Sequence, residues 1–486
     1  MNSKQLFKCF ILPLLVAITV SELHAAEQSI PPNFILIFTD DQGYQDVGCF
    51  GSLDIRTPHL DQMAAEGMRF TDFYAQTICG PSRAALMTGC YPLRVATVGN
   101  RVETHPHLHL QEVTVAEVLK EVGYATACFG KWDLAGHSQG GYNPKLLPTH
   151  QGFDYYFGTP TSNDNNVNLI RNGELIEKNV DMALLTERYT DEAIAFIQRS
   201  KDRPFFVYLA HTMPHVRLAA SDPFEGESPR GLYGDVVEEI DANIGRILNL
   251  LKDEGLDENT YVFFMSDNGP WYLGRSGKHI KEYGEMVESY GGSAAPLRGA
   301  KTSTWEGGLR VPCIMRAPGR IPVGTVCTEI ASTMDMLPTL AMLAGGHVPA
   351  DRVIDGHDIR GLIHGAEGAE IPDKAFFYYQ KTTLCAVRVG RWKLQLSHPP
   401  SSWTRYLKEE DVLSSDEPRL YDLLTDLGET TNVVAEYPEI VAELLNHAEW
   451  ARKDIGDHDV EGGNARFFDP ERHRSDLIEK KGIRVE

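Results

Sequence analysis

The sequence predicts an α/β fold: a large, mostly parallel central sheet flanked by helices, plus a smaller C-terminal antiparallel sheet with one helix. Three observations predict it. Continuous apolar runs of strand length recur, such as FILIFT at residues 34–39. Strands buried on both faces read this way, whereas half-exposed strands alternate. Long helical stretches separate those runs, which is the rhythm of a parallel sheet. Beyond residue 370 the runs shorten and one helix follows.

The elements follow in order. Residues 34–39 form the first core strand, which stops at Asp40 and Asp41. Apolar spacing predicts helices over 59–67 and 114–123, the second feeding a strand at 124–129. Pro81 and the run Ala84 to Met87 predict a short helix beginning near residue 81. Residues 180–199 read as a long helix, and 205–210 as a buried strand followed by His211 and His215. Another helix spans 236–252, and a third core strand, 261–266, runs into Asp267 and Asn268. Residues 332–343 read as a helix ended by Gly345 and Gly346. In the tail, 376–379, 386–389 and 392–396 read as short strands and 439–451 as a helix. The last thirty residues are expected to wrap the surface or fray. Polar residues gather just after strand C-termini, the edge where open α/β sheets place ligands.

Bulk properties narrow the function. The 486 residues are 42% hydrophobic, enough for a large core and against disorder. Residues 1–25 read as a signal peptide: Lys4 and Lys8, an apolar run over 9–20, and a small residue at Ala25. The run is too short for a membrane span. Export to the periplasm or beyond is expected, with no stable membrane span after signal removal. The rest divides into a main domain over 26–369 and a C-terminal subdomain with a surface tail over 370–486. The formal net charge of -22 argues against nucleic acid and anionic membranes as partners. An anionic substrate would need a local basic pocket. Of eight cysteines, Cys9 lies in the signal and the other seven are sparse, with no CxxC pair. This is no stapled scaffold, the odd number flags one thiol as special, and one to three disulfides stay open.

Asp40 and Asp41 are adjacent carboxylates at a strand end. Either they are a solvated turn or a hard cation relieves their repulsion. Asp267 and Asn268 supply a second cluster of oxygen side chains after another core strand, which favours the cation. Cys79 opens CGPSRAALMTG at a helix N-terminus, which favours thiolate character and welcomes anions. Arg83 follows four residues later and can face the same spot; the alternative is a core cysteine beside a surface arginine. Lys131, His211, His215 and Lys301 all follow strands or glycines and make a plausible anion pocket. Zinc is disfavoured, since no HxH or HExxH spacing accompanies the carboxylates.

These residues stand in a recognisable pattern. CGPSRAALMTG, with FTDDQGYQDVG, GKWDLAGH, PFFVYLAHTMPH, SDNG, LRGAKTSTWEGGLRVP, STMDMLPTLAMLAG and YDLLTDLGETTNV, resembles the type I, formylglycine-dependent sulfatase family of the alkaline-phosphatase-like superfamily. The resemblance implies an alkaline-phosphatase-like sandwich and a sulfuric ester hydrolase. It implies that a formylglycine-generating maturation enzyme oxidises Cys79, and that the hydrated aldehyde attacks sulfur with one hydroxyl and expels sulfate through the other. It implies one calcium ion on Asp40, Asp41, Asp267, Asn268 and residue 79. Arg83 then steadies the nucleophile, Lys131 and Lys301 hold sulfate oxygens, His215 stands beside the leaving oxygen as a candidate proton donor with Lys301, and His211 either supports those residues from behind or contacts the substrate. Exported relatives point to a sulfated small molecule or glycan as substrate. Subsites are expected in loops such as 140–168 and 272–293, where Trp271, Tyr272, Tyr283 and Tyr290 either stack on sugar faces or anchor the loops. The alternatives are a phosphodiester or phosphonate ester hydrolase of the same superfamily and a non-catalytic glycan-binding relative.

One position departs. The family pattern GKWHLG stands here as GKWDLAG, with Asp133 where histidine is expected and His137 four residues on. Either could replace the base that triggers sulfate release.

Overall fold

The structure is a computed structural model. It describes residues 31–95, 108–137, 141–163, 166–271, 291–371, 374–398, 411 and 417–466. The expected signal lies outside these residues, as do Tyr272, Tyr283 and Tyr290. No helix among the described residues is long and apolar enough to cross a membrane.

The strands of the main sheet are β1 (Asn33–Thr39), β2 (Met68–Phe70), β4 (Ala125–Lys131), β5 (Tyr155–Thr159), β6 (Leu169–Arg171), β7 (Glu174–Glu177), β8 (Phe205–Ala210), β9 (Thr260–Ser266), β10 (Cys313–Arg316) and β11 (Thr325–Cys327). A two-residue β3 (Phe73–Tyr74) pairs with β12 (Ala331–Ser332) apart from it. The ten strands lie in the order β11-β2-β10-β9-β1-β8-β4-β5-β6-β7. The centre, β9-β1-β8-β4-β5, is parallel throughout, and β10, β6 and β7 run antiparallel to their neighbours.

Helices cover both faces: α1 (Pro58–Ala65), α2 (Cys79–Thr88), α3 (Val115–Glu121), α4 (Leu185–Ser200), α5 (Leu232–Asp253), a short α6 (Glu306–Leu309), α7 (Met336–Leu343) and a short α8 (Arg360–Ile363). β1 shows why its sequence is apolar without alternation. Phe34, Leu36 and Phe38 point into the core shared with α2, α3 and α7, while Ile35 and Ile37 point into that shared with α1, α4 and α5. Thr114 caps α3 in a reciprocal capping box with Glu117.

The C-terminal sheet is antiparallel, in the order β13 (Ala375–Gln380), β14 (Thr383–Val389), β15 (Trp392–Gln395) and β16 (Arg419–Asp422). The helix α9 (Pro438–Asp454) packs on it through Leu444, Ala448 and Ala451. Past α9 the described chain folds back. Arg466 ion-pairs with Glu112 at 2.9 Å, and the rest of the tail expected to wrap or fray, residues 467–486, lies outside the described residues.

Several expectations are corrected. β4 extends two residues further than the apolar run, because β5 and β8 continue to pair with it, so Lys131 sits on the strand itself. The helix expected near Pro81 begins at Cys79. The described residues within 140–168 are not a plain loop, since β5 lies among them and pairs in parallel with β4. The C-terminal sheet has a fourth strand, β16. Among the described residues the seven cysteines form no disulfide.

Candidate active site

The topology brings every candidate residue to one sheet edge. β1 delivers Asp40 and Asp41, β4 delivers Lys131 and Asp133, β8 delivers His211 and His215, and β9 delivers Asp267 and Asn268. These strands are adjacent and parallel, so their C-terminal ends share one edge. Arg83 reaches in from α2, and Lys301 from the turn before α6.

The chain is pinned tightly here. The Asp41 backbone is left-handed, with φ 66°, and its N–H donates to Asp267 Oδ1 at 3.1 Å. The Asp267 N–H donates to the Thr39 carbonyl at 3.0 Å. A Cβ on Gly269 would lie 1.8 Å from the Gly307 carbonyl oxygen, so only glycine allows that approach.

Three cations meet three carboxylates. Arg83 Nη2 pairs with Asp267 Oδ2 at 2.8 Å. Lys131 Nζ lies 2.6 Å from Asp40 Oδ2, and Lys301 Nζ 2.6 Å from Asp41 Oδ1. All six side chains are buried. Arg83 also donates to the Lys131 carbonyl at 2.8 Å, which ties α2 to β4. Burial alone would push Asp40 up, but Lys131, with Arg83 beside it, holds its carboxyl well below the usual range. For Asp267, burial wins, reinforced by Asp40, and the carboxyl is raised. Burial opposes the Lys301 charge, but Asp41 outweighs it and holds the ammonium protonated.

Asp40 Oδ1, Asp41 Oδ2 and Asn268 Oδ1 are buried and accept no hydrogen bond. The Asn268 carboxamide donates to Asp41 Oδ1 at 2.7 Å, so the three side chains form one cluster. Ligand atoms of Asp40, Asp41 and His215 lie within 4.8 Å of one another, as do those of Asp40, Cys79 and Asp267. Unpaired buried oxygens are costly, and a cation relieves that cost. This oxygen-rich set fits a hard divalent ion.

His215 donates Nδ1–H to the Val216 carbonyl. Burial, with Lys301 next, lowers its pKa, so the ring is neutral and Nε2 carries a lone pair. Nε2 lies 3.7 Å from Asp41 Oδ2. The ring meets Trp271 edge-on at 5.2 Å, and Lys301 Nζ lies 4.7 Å from the centre of the same indole. His211 follows β8 with neither ring nitrogen hydrogen-bonded, and burial lowers its pKa to about 3.

Cys79 corrects the sequence reading. It is the first residue of α2 and fully buried. Burial raises its thiol pKa, outweighing Lys131, so the expected thiolate does not form.

Asp133 and His137 turn out to be partners. Asp133 Oδ1 lies 2.7 Å from His137 Nδ1, while Oδ2 is 3.8 Å from Lys131 Nζ and accepts no hydrogen bond. Burial opposes ionisation of Asp133, but His137 and then Lys131 outweigh it and lower the carboxyl. The segment is not helical. Asp133 at φ 57° and Gly136 at φ 144° fold the chain back and return the imidazole to the carboxylate.

Residues that sequence reasoning missed support these. Thr77 Oγ1 donates to the Tyr379 carbonyl at 3.2 Å, and Lys393 Nζ donates to the Thr304 carbonyl at 2.8 Å. A lysine inside a predicted strand of the tail was the one available signal.

The chain matches known proteins over most of its length. The sulfatase family matches residues 32–346, and the C-terminal region of aryl-sulfatase matches 371–468. N-acetylgalactosamine-6-sulfatase of Canis lupus familiaris is 39% identical over 422 residues, covering 81% of this chain and 77% of the relative. Human arylsulfatase A is 36% identical over 456 residues, covering 85% and 86%. A solved Bacteroides thetaiotaomicron protein, described under the metabolism of multiple glycosaminoglycans, superposes with TM-score 0.76 at 27% identity, covering 87% of this chain and 99% of its own.

Proposed function

The chain belongs to the sulfatase family, and from that premise we propose that it hydrolyses a sulfate monoester on a sulfated carbohydrate, using residue 79 as formylglycine beside one calcium ion. The observation that carries this reading is the convergence of unpaired Asp40, Asp41 and Asn268 oxygens beside a buried Cys79 whose thiol stays protonated. A protonated, desolvated thiol is a poor nucleophile. Formylglycine at this position would supply, once hydrated, one hydroxyl to attack sulfur and a second whose deprotonation frees sulfate. Calcium, held by Asp40, Asp41, Asp267 and Asn268, would supply Lewis-acid polarisation.

The chain's own groups do the rest. Arg83, anchored by Asp267 and the Lys131 carbonyl, holds the start of α2 in place. Lys131 and Lys301 keep their protons and bind sulfate oxygens. Lys301 stands as donor to the leaving oxygen, since the proton on His215 is engaged by Val216. Asp133 accepts the releasing proton at Oδ2, with His137 holding Oδ1. His211 and Trp271 line the substrate side.

The relatives named N-acetylgalactosamine-6-sulfatase support a sugar sulfate as substrate. Enzyme produced with a formylglycine-generating system is expected to show the aldehyde or hydrate mass on the tryptic peptide carrying residue 79. It should bind one calcium per chain after dialysis and turn over a sugar sulfate faster than a matching phosphate diester. Undiminished turnover by Cys79→Ala, or stoichiometric zinc in the active sample, would overturn the reading.

A further inference from the structure

We infer that the C-terminal sheet is part of the active-site apparatus, with Gln380, Lys393 and Gln395 as positioning residues that hold the 301–305 turn and thereby aim the Lys301 ammonium. The inference rests on the reading of Lys301 as a site residue.

The turn carries its own tension. Thr302 is β-branched yet left-handed, with φ 74°. Such a residue persists only where its surroundings over-determine it. Here both flanking peptides are pinned. The Thr302 N–H donates to the Thr77 carbonyl at 2.9 Å, and Gln380 Nε2 donates to the Thr302 carbonyl. Two residues on, the Thr304 carbonyl accepts from Lys393 Nζ at 2.8 Å and from Gln395 Nε2 at 3.3 Å. Three side chains of β13 and β15 thus hold two carbonyls of one turn.

Lys393 is the telling member. It is fully buried, and its charge is balanced by Glu306 at 3.0 Å and Glu429 at 2.8 Å. Glu429 in turn accepts the Glu306 N–H at 2.7 Å, at the first residue of α6. Burying three charges is costly, and an apolar side chain would satisfy packing alone. What the ammonium adds is a directed bond to the turn. The same end of β13 reaches the nucleophile, since the Tyr379 carbonyl accepts from Thr77, two residues before Cys79. One strand end therefore sets the spacing between residue 79 and Lys301.

The test is a double-mutant cycle on mature, formylglycine-bearing enzyme. Gln380→Leu and Gln395→Leu are made alone and with Lys301→Ala, and assayed on 4-nitrophenyl sulfate and a monosaccharide 6-sulfate. Lys393→Met strips the counter-charge from Glu306 and Glu429 and is the variant most exposed to misfolding, so the neutral changes carry the test. Expected is a fall in kcat of about 10- to 100-fold on the sugar sulfate. The fall should be smaller on the nitrophenyl ester, whose leaving oxygen needs no proton donor. In the Lys301→Ala background the added glutamine change should alter the rate by less than about twofold. Equal losses on both substrates and in both backgrounds would mark a purely structural role and overturn the inference. Full activity of Lys301→Ala would remove Lys301 from the site and the inference with it, while sulfatase chemistry itself is judged separately by Cys79→Ala.

Discussion

At Cys79 two influences oppose each other: the N-terminus of α2 favours an anion, and complete burial disfavours one. Burial wins, which sequence spacing alone could not show. At Asp133 the sequence left two bases open, and the structure joins them in one pair. The pair predicts a specific phenotype. Asp133→Asn should give a burst of released alcohol followed by slow sulfate release in stopped-flow assays, because the acceptor of the second proton is gone. His137→Ala should weaken the same step less, since Oδ2 remains in place. Normal turnover by Asp133→Asn with a burst from His137→Ala would reverse these roles. His211 makes a separate prediction about stability. Its folded pKa is about 3, below the ordinary 6.5, because burial disfavours the charged ring. The unfolded chain therefore takes up a proton that the folded one refuses. The His211 contribution is full above pH 6.5 and is lost as pH falls toward 3. Between pH 7 and pH 4.5 this amounts to about 3 kcal/mol. Urea denaturation of His211→Asn should lose less stability over that interval than the parent, and an equal loss in both would locate the acid sensitivity elsewhere.

Among elements, legibility followed burial. β1, β8 and β9 were read from sequence within a residue because both their faces are covered and the apolar run has nothing to interrupt it. The polar residues after them marked the site for the same reason: the strands end where the core ends. β5, β6, β7, β10 and β11 were not read. They are short, β7 is largely exposed, and β10 and β11 each pair with β2, which lies far away in sequence. The support given by β13 and β15 to Thr302 and Thr304 was equally hidden, since it joins residues about 80 to 90 apart. The turn between β4 and His137 is a short element with a sharp consequence. A Cβ on Gly136 would lie 2.3 Å from the Gly141 carbonyl oxygen, and φ 144° is a backbone state that L side chains rarely adopt. Gly136→Ala should therefore displace His137 and cost about 1–3 kcal/mol. Its kinetics should resemble those of His137→Ala. Wild-type turnover together with an unchanged melting temperature would show that this turn does not govern the pair.

At the scale of the whole molecule, two electric fields compete. The chain carries a formal -22, which repels a polyanionic sulfated glycan at long range. The site itself is different. Asp40, Asp41 and Asp267 face Arg83, Lys131 and Lys301, and once a bound cation offsets the burial that raises Asp267, three negative charges meet three positive ones. A divalent cation on the unpaired oxygens would leave this cluster positive by two, and Asp133 would reduce that to one. A sulfate ester is thus attracted only at close range. Salt separates the two fields, because exposed, distant charges are screened over a Debye length of about 10 Å at 0.1 M while buried pairs are screened far less. Raising ionic strength from about 0.01 to 0.15 M should therefore increase kcat/KM for a long sulfated polysaccharide, by relieving the global repulsion. A monosulfated monosaccharide carries one charge and should respond much less. The measurement is kcat/KM for both substrates across that range at constant calcium. A polysaccharide rate that falls with salt would mean that approach is steered by a local basic surface strong enough to overcome the net charge.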